Sequence, residues 1–256
     1  MFDAHLHLDQ YPEEEMDRLI HEWQQAGIDG VVAVSTDLAS SYRTLELKHR
    51  YPAFIYAAVG HHPEQNPPND ADANELLALM DCERNYLSAI GEVGLPHYSL
   101  DQIEENAAEQ YHSLLTSFAR AANRLRLPLA LHAVHEQTQP VLDLLQEEEV
   151  ERAHFHWLKS DEITLQNVFK SGYSLSLTPE VCYRERDQRL AERVPIEQLM
   201  IETDGPWPFS GPFKGIRTTP LLLKDVAEKT AELKNKTVKE IIELTSKNLQ
   251  KQYEKR

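Results

Sequence analysis

Phe2-Asp3-Ala4-His5-Leu6-His7-Leu8 is the stretch on which the reading of the whole chain turns. Apolar residues at 2, 4, 6 and 8 alternate with Asp3, His5 and His7. Period two is the strand period, so His5 and His7 belong on one side of a β-strand. Two imidazoles side by side at a strand end can hold one metal ion. They can equally be two polar residues facing a loop, and the remainder of the chain has to decide between these readings.

Working outward, short apolar runs alternate with amphipathic stretches. Strands are expected at 2–8, 31–35, 54–59, 87–90, 128–132, 153–156, 173–177 and 199–202. Helices are expected at 12–26, 40–51, 73–81, 103–125, 137–148, 162–170, 220–233 and 238–253, with a weakly helical stretch over 180–193. Residues 66–70 read as a loop, and Thr237 with Glu240 three residues on reads as a capping box. Parallel strands need crossover helices, and eight such units close into a barrel of about 250 residues. The 256 residues therefore predict one domain over 1–256, an α/β chain folded as a single (β/α)8 TIM barrel. No Gly/Ser linker or composition break suggests a second domain.

Composition narrows the function. No run approaches the roughly 18 apolar residues of a membrane helix. The strand at Phe2 leaves no basic-then-apolar leader in this sequence, which predicts a cytoplasmic protein. Cys82 and Cys182 stand alone and read as packing residues, not a disulfide or zinc-finger pair. A net charge of −16 argues against coating nucleic acid through a basic groove. It does not exclude an enzyme that meets one phosphodiester at a metal site.

The polar residues at the strand ends are the second signal. They are His5 and His7 on the first strand, His62 after the third, Glu92 after the fourth, His132 on the fifth, His156 on the sixth and Asp204 after the eighth. In a closed barrel these ends surround one mouth, where active sites sit. Four histidines and two carboxylates suit two divalent ions about 4 Å apart. Imidazole with carboxylate favours Zn, with Mn, Ni or Fe possible and Mg less natural. Glu92 could offer one oxygen to each ion, and Asp204 could bind one ion and act as general base. Singly, each has a plainer reading: His132 as a core histidine, Glu92 as a turn carboxylate, Asp204 as the start of a turn. Trp207, Phe209 and Phe213 read evenly as packing or as a substrate wall. His154, two residues deeper than His156, reads as buried support. His135, just past the fifth strand, has an address near the mouth, whereas His97 and His112 have none.

These residues resemble the TatD-like metal-dependent hydrolases, the TatD-type deoxyribonuclease family of the amidohydrolase superfamily. The landmarks are Asp3-Ala4-His5-Leu6-His7, Gly60-His61-His62-Pro63, Gly91-Glu92-Val93-Gly94-Leu95, His132, His156, Glu202-Thr203-Asp204-Gly205-Pro206 and Lys214-Gly215-Ile216-Arg217-Thr218-Thr219-Pro220. The resemblance implies a TIM barrel. It implies one metal on His5, His7, Glu92 and Asp204, and a second on Glu92, His132 and His156. It also implies a substrate contact, to a phosphate, from His62. The activity it implies is deoxyribonuclease, often 3′ exonuclease. The sequence departs from the family pattern at Pro96, where Asp is usual, and at Ala133-Val134-His135, where Ser-Arg-Asp is usual. Leu158-Lys159-Ser160 replaces Phe-Ser-Gly, and Lys214-Gly215 replaces Arg-Gly.

The leading expectation is therefore a two-metal phosphodiesterase on DNA ends, with Asp204 and Glu92 catalytic and His62, Lys214 and Arg217 on the substrate. The alternative is a small-molecule hydrolase of an amide, lactone or phosphoester at the same site. A non-catalytic metal-binding protein is the remote third. No membrane and no obligate protein partner are expected.

Overall fold

The computed structural model describes residues 1–99 and 107–254. One parallel sheet runs in sequence order through β1 (Phe2–Leu6), β2 (Gly30–Ala33), β3 (Ile55–Val59), β4 (Leu87–Gly94), β5 (Leu129–His132), β6 (Ala153–Phe155), β7 (Ser174–Leu177) and β8 (Leu199–Ile201). The helices are α1 (Met16–Gln25), α2 (Leu38–Arg50), α3 (Asp70–Cys82), α4 (Ala107–Leu125), α5 (Thr138–Glu147), α6 (Glu162–Ser171), α7 (Glu185–Arg193), α8 (Leu223–Lys234) and α9 (Val238–Tyr253). The fold is a (β/α)8 TIM barrel. Among the described residues, no helix is long and apolar enough to cross a membrane.

Several boundaries differ from expectation for local reasons. β1 stops at Leu6 because the chain turns at His7 into a single 3-10 turn over Leu8–Gln10. Pro12 precedes another such turn, so α1 starts only at Met16. α3 starts earlier than expected because the Asn69 side chain accepts from the Asp72 N–H and caps it. The expected helical residues 103–106 lie outside the described residues. The capping box forms as expected, Thr237 and Glu240 exchanging side-chain-to-backbone bonds. Cys82 is exposed at the end of α3, not packed; Cys182 is half-buried.

Two layers of apolar side chains hold the barrel. Leu6, Val31, Ala33, Ile55, Val59, Leu131 and Leu177 pack outward among the helices. Ala4, Val32, Val34, Ala58, Ala89, Ala130 and Met200 fill the interior, and Leu249 and Tyr253 of α9 join them. The small residues in this interior set keep the strands close.

Two bulges re-aim the chain at the mouth. Pairing slips by one residue between Asp3↔Val31 and Leu6↔Ala33, and again between Ile90↔Leu129 and Val93↔Leu131. The extra residue bends the strand locally, and the slips fall where His5 and Glu92 sit. β4 and β5 approach closely beside the second slip. A Cβ on Gly94 would lie 1.9 Å from the His132 carbonyl oxygen, and one on Gly91 would lie 2.6 Å from the Ala130 Cβ. Only glycine fits either position.

The barrel closes just past β8. The Asp204 N–H donates to the His5 carbonyl at 3.0 Å, and the His7 N–H to the Gly205 carbonyl at 2.8 Å. The buried Asp3 carboxyl, whose pKa burial pushes up to about 8 against these hydrogen bonds, adds a side-chain seam, accepting from the Thr203 N–H at 3.0 Å, the Thr203 hydroxyl at 2.5 Å and the His5 N–H at 3.2 Å. Deleting the carboxylate strands buried donors. We expect Asp3→Ala to cost about 2–3 kcal/mol, or roughly 5–10 °C in Tm for a chain this long. Thermal denaturation checks it, and an unchanged Tm would mean that the seam contributes nothing.

Candidate metal centre

Glu92 is the hub. Its side chain is fully buried. Oε2 lies 3.0 Å from His5 Nε2 and 3.4 Å from His7 Nε2. Oε1 lies 2.8 Å from His156 Nε2, 3.0 Å from His132 Nδ1 and 3.3 Å from His62 Nε2. Asp204 Oδ1 joins the first group, 3.5 Å from His7 Nε2 and 3.7 Å from His5 Nε2. The carboxylate of Glu92 therefore faces one imidazole set with each oxygen.

Each such N···O approach needs a proton or a cation between the two atoms. Protons cannot serve all of them. His5 and His156 stack with centroids 3.8 Å apart, so charging both would oppose two cations in a buried site. The direction of each group's shift reflects this conflict. Burial is the largest influence on every imidazole here, and it pulls His5 and His62 down. For His7, His132 and His156 the neighbouring carboxylates outweigh burial and push the pKa up. Burial likewise opposes ionisation of Glu92 and Asp204, but the surrounding imidazoles win and hold both below their usual range.

A bound metal would resolve the conflict, and the donor set fits one. Ligand distances of 2.0–2.2 Å place adjacent donors roughly 2.8–3.5 Å apart, close to the separations above. Both nitrogens of His156 and Asp204 Oδ1 are buried without a hydrogen-bond partner among the described residues. His156 Nε2 sits close to Glu92 Oε1 yet lacks hydrogen-bond alignment, which suits a shared ion better than a shared proton. His5, His7 and Glu92 group within ligand reach of one another, as do His62, Glu92 and His132; His156 groups instead with His5 and Glu202, not with Glu92 and His132 as the expected second set had it. The second group makes His62 ligand-capable, beside the substrate contact that the family resemblance implies for it.

The supporting shell was less legible. Glu202 accepts from the Trp157 N–H at 2.8 Å and the Ser176 hydroxyl at 2.5 Å, and faces His156 Nδ1 at 3.6 Å. His154 is buried between the Tyr253 hydroxyl and Ser176, 2.6 Å from each. Glu64, which the sequence reading passed over, lies 3.2 Å from His132 Nε2. It also accepts from the N–H groups of His97, Tyr98 and Ser99 at 2.7–3.0 Å. Burial opposes its ionisation, but His132, Ser99 and those N–H groups hold it well below the usual carboxylate range. Its only sequence signal was its place two residues after His62. A carboxylate on the far nitrogen of a ligand imidazole fixes the ring's tautomer and orientation. Glu64→Ala should weaken metal binding about 10–100-fold, measured by chelator competition. Unaltered affinity would reduce Glu64 to a loop anchor.

Around the centre lies a cavity of about 830 Å³ lined by His7, His62, Glu92, His132, His156 and Asp204 together with Tyr98, Trp157, Lys159, Glu180 and Trp207. Lys214 and Arg217 do not line it. Lys214 is exposed, and Arg217 pairs with Glu15 at 2.6 Å and lies over the Tyr11 ring. His135 is also outside, stacked on His97. The three candidate aromatics divide: Phe209 and Phe213 pack with Leu222, whereas Trp207 is 57% exposed on the cavity wall.

Comparison with known proteins now decides the family. The model described as "TatD related DNase" matches residues 2–254. The chain belongs to the TatD family of metal-dependent hydrolases. An uncharacterised metal-dependent hydrolase of Haemophilus influenzae is 41% identical over 92% of each chain. The human protein named deoxyribonuclease TATDN3 is 28% identical over 100% of this chain and 95% of its own. The crystal structure of YJJV, a TatD homologue of Escherichia coli, shares the fold, with a TM-score of 0.88, 21% identity and coverage of 100% and 98%. TatD-family membership carries hydrolase chemistry and a need for metal; which bond is cut is a separate matter.

Proposed function

We propose that this TatD-family hydrolase is a phosphodiesterase that shortens DNA from the 3′ end at a pair of divalent ions. The observation that supports it most is Glu92, whose two oxygens each face a separate imidazole set. The name deoxyribonuclease on the human relative points the same way. His5, His7, Asp204 and Glu92 would hold one ion, and Glu92, His132 and His156 the other. When bound, the ions supply Lewis acidity and lower the pKa of water towards neutrality. Asp204 takes the proton of the attacking water on its carboxylate. His62, at the rim of the second set, steadies the phosphate. Lys214 and Arg217 remain candidates only for DNA beyond the cavity, since neither lines it.

A second reading, a small-molecule hydrolase of an amide, lactone or phosphoester, is favoured by one observation. Glu64, Glu92, Glu180 and Asp204 line a cavity whose only lysine or arginine among the described residues is Lys159. That wall, with a net charge of −16, repels polyanions. The experiment is cleavage of a 3′-overhang oligonucleotide by metal-loaded protein, with the EDTA-stripped protein as control. Stepwise 3′ shortening that needs metal supports the nuclease. No cleavage with metal bound, together with turnover of small esters or lactones, supports the second reading.

A further inference from the structure

We propose that Lys159 forms an anion subsite beside the metal centre, one that binds a phosphate or carboxylate the substrate carries next to its scissile group. The proposal rests on the hydrolase site above and names what the cavity wall selects. Lys159 stands where the sequence departs from its family, and it is the one lysine or arginine of the described cavity lining. Its ammonium lies 3.8 Å from the Trp157 ring centroid and 5.7 Å from that of Tyr98, and it donates to the Tyr98 hydroxyl at 3.2 Å. Rings hold a cation in place without neutralising it. An ammonium has three donors, and among the described residues no carboxylate lies within ion-pair distance of this one. The nearby Glu180 is engaged elsewhere, accepting from Arg186 at 2.7 Å, Arg184 at 3.3 Å and the Trp157 indole at 3.0 Å.

The local backbone supports the placement. Trp157 has φ +39°, a costly conformation for a tryptophan, and its N–H is tied to Glu202. The same turn that delivers His156 to the metal centre thus delivers Lys159 to the wall. Burial, with repulsion from Arg186 added, pulls the Lys159 pKa down against the attraction of Glu180. A partly desolvated ammonium of this kind gains most from an incoming anion.

The shared chemistry is an anion adjacent to the reacting bond. It could come from the next phosphodiester of DNA or from the free carboxylate of a half-ester. The test uses two substrate pairs on the metal-loaded chain, comparing the parent with Lys159→Met and Lys159→Arg. One pair is an oligonucleotide with its penultimate phosphate intact or replaced by a neutral methylphosphonate. The other is a nitrophenyl half-ester of a dicarboxylic acid and its neutral methyl ester. Lys159→Met should raise KM about 10–100-fold for the charged member, with kcat and the neutral member unchanged. Lys159→Arg should restore most of the loss. Selectivity in the ester pair without DNA cleavage would keep the subsite and remove the nuclease. Equal effects on both members of a pair would overturn the subsite.

A readout free of turnover accompanies it. In the zinc-loaded protein, inorganic phosphate should shift the Trp157 indole N–H resonance, with buried Trp23 as internal reference, and the shift should vanish in Lys159→Met. A shift retained in Lys159→Met would also overturn the proposal.

Discussion

Glu92→Ala should lose at least about 10³ in kcat/KM, about 4 kcal/mol of transition-state stabilisation. The size follows from the position of the residue. Each oxygen of Glu92 faces its own imidazole set, at 2.8–3.4 Å, so removing it disturbs both proposed ions together. A residue on one side only, such as His7, disturbs one. Metal content separates these cases: Glu92→Ala should fall short at both sites, and His7→Ala at one. Circular dichroism should show an intact fold, because Glu92 has its contacts at the mouth and not in the apolar layers. Full activity in Glu92→Ala would remove the residue from the mechanism.

Asp204→Asn should lower kcat by about 10²–10⁴, the range of a general base, with KM changed little. The choice of asparagine matters. Asp204 has φ +51°, in the left-handed region, which asparagine tolerates better than alanine does. The backbone link from the Asp204 N–H to the His5 carbonyl therefore survives, and what changes is the carboxylate. Single-turnover kinetics with metal content held equal would isolate the proton-transfer step. A parental rate would assign that step to another group.

Much of this was written in the sequence, for a physical reason. A barrel repeats one supersecondary unit, so its strands recur as apolar runs and its candidate site residues recur at the same end of each. His132, His156 and Asp204 could be placed from that regularity. The bulges could not. Residues 91–92 read equally well as a turn, and the structure instead continues β4 through them to Gly94. Nor could Glu64 be placed, because its role depends on the N–H groups of residues 97–99, which reach it only in the folded chain. Lys214 and Arg217 show the opposite case. Their motif was plain, but the Arg217 guanidinium is occupied by Glu15 and Tyr11 outside the cavity. Lys159 carried no motif, and its place on the wall follows from a turn that only the three-dimensional path of the chain reveals.

The seam between Asp3 and Thr203 has a consequence in time. Its two sides are 200 residues apart in the chain. At about 5–20 residues per second of synthesis, the first strand waits roughly 10–40 s for its last neighbour to be made. Through that interval β1 can pair with β2 on one side while its other edge is bare, and a bare edge invites pairing with another chain. The strand that waits longest is short and carries a carboxylate on that edge. An ionised Asp3 on that edge would disfavour such pairing until Thr203 arrives to take the same oxygens.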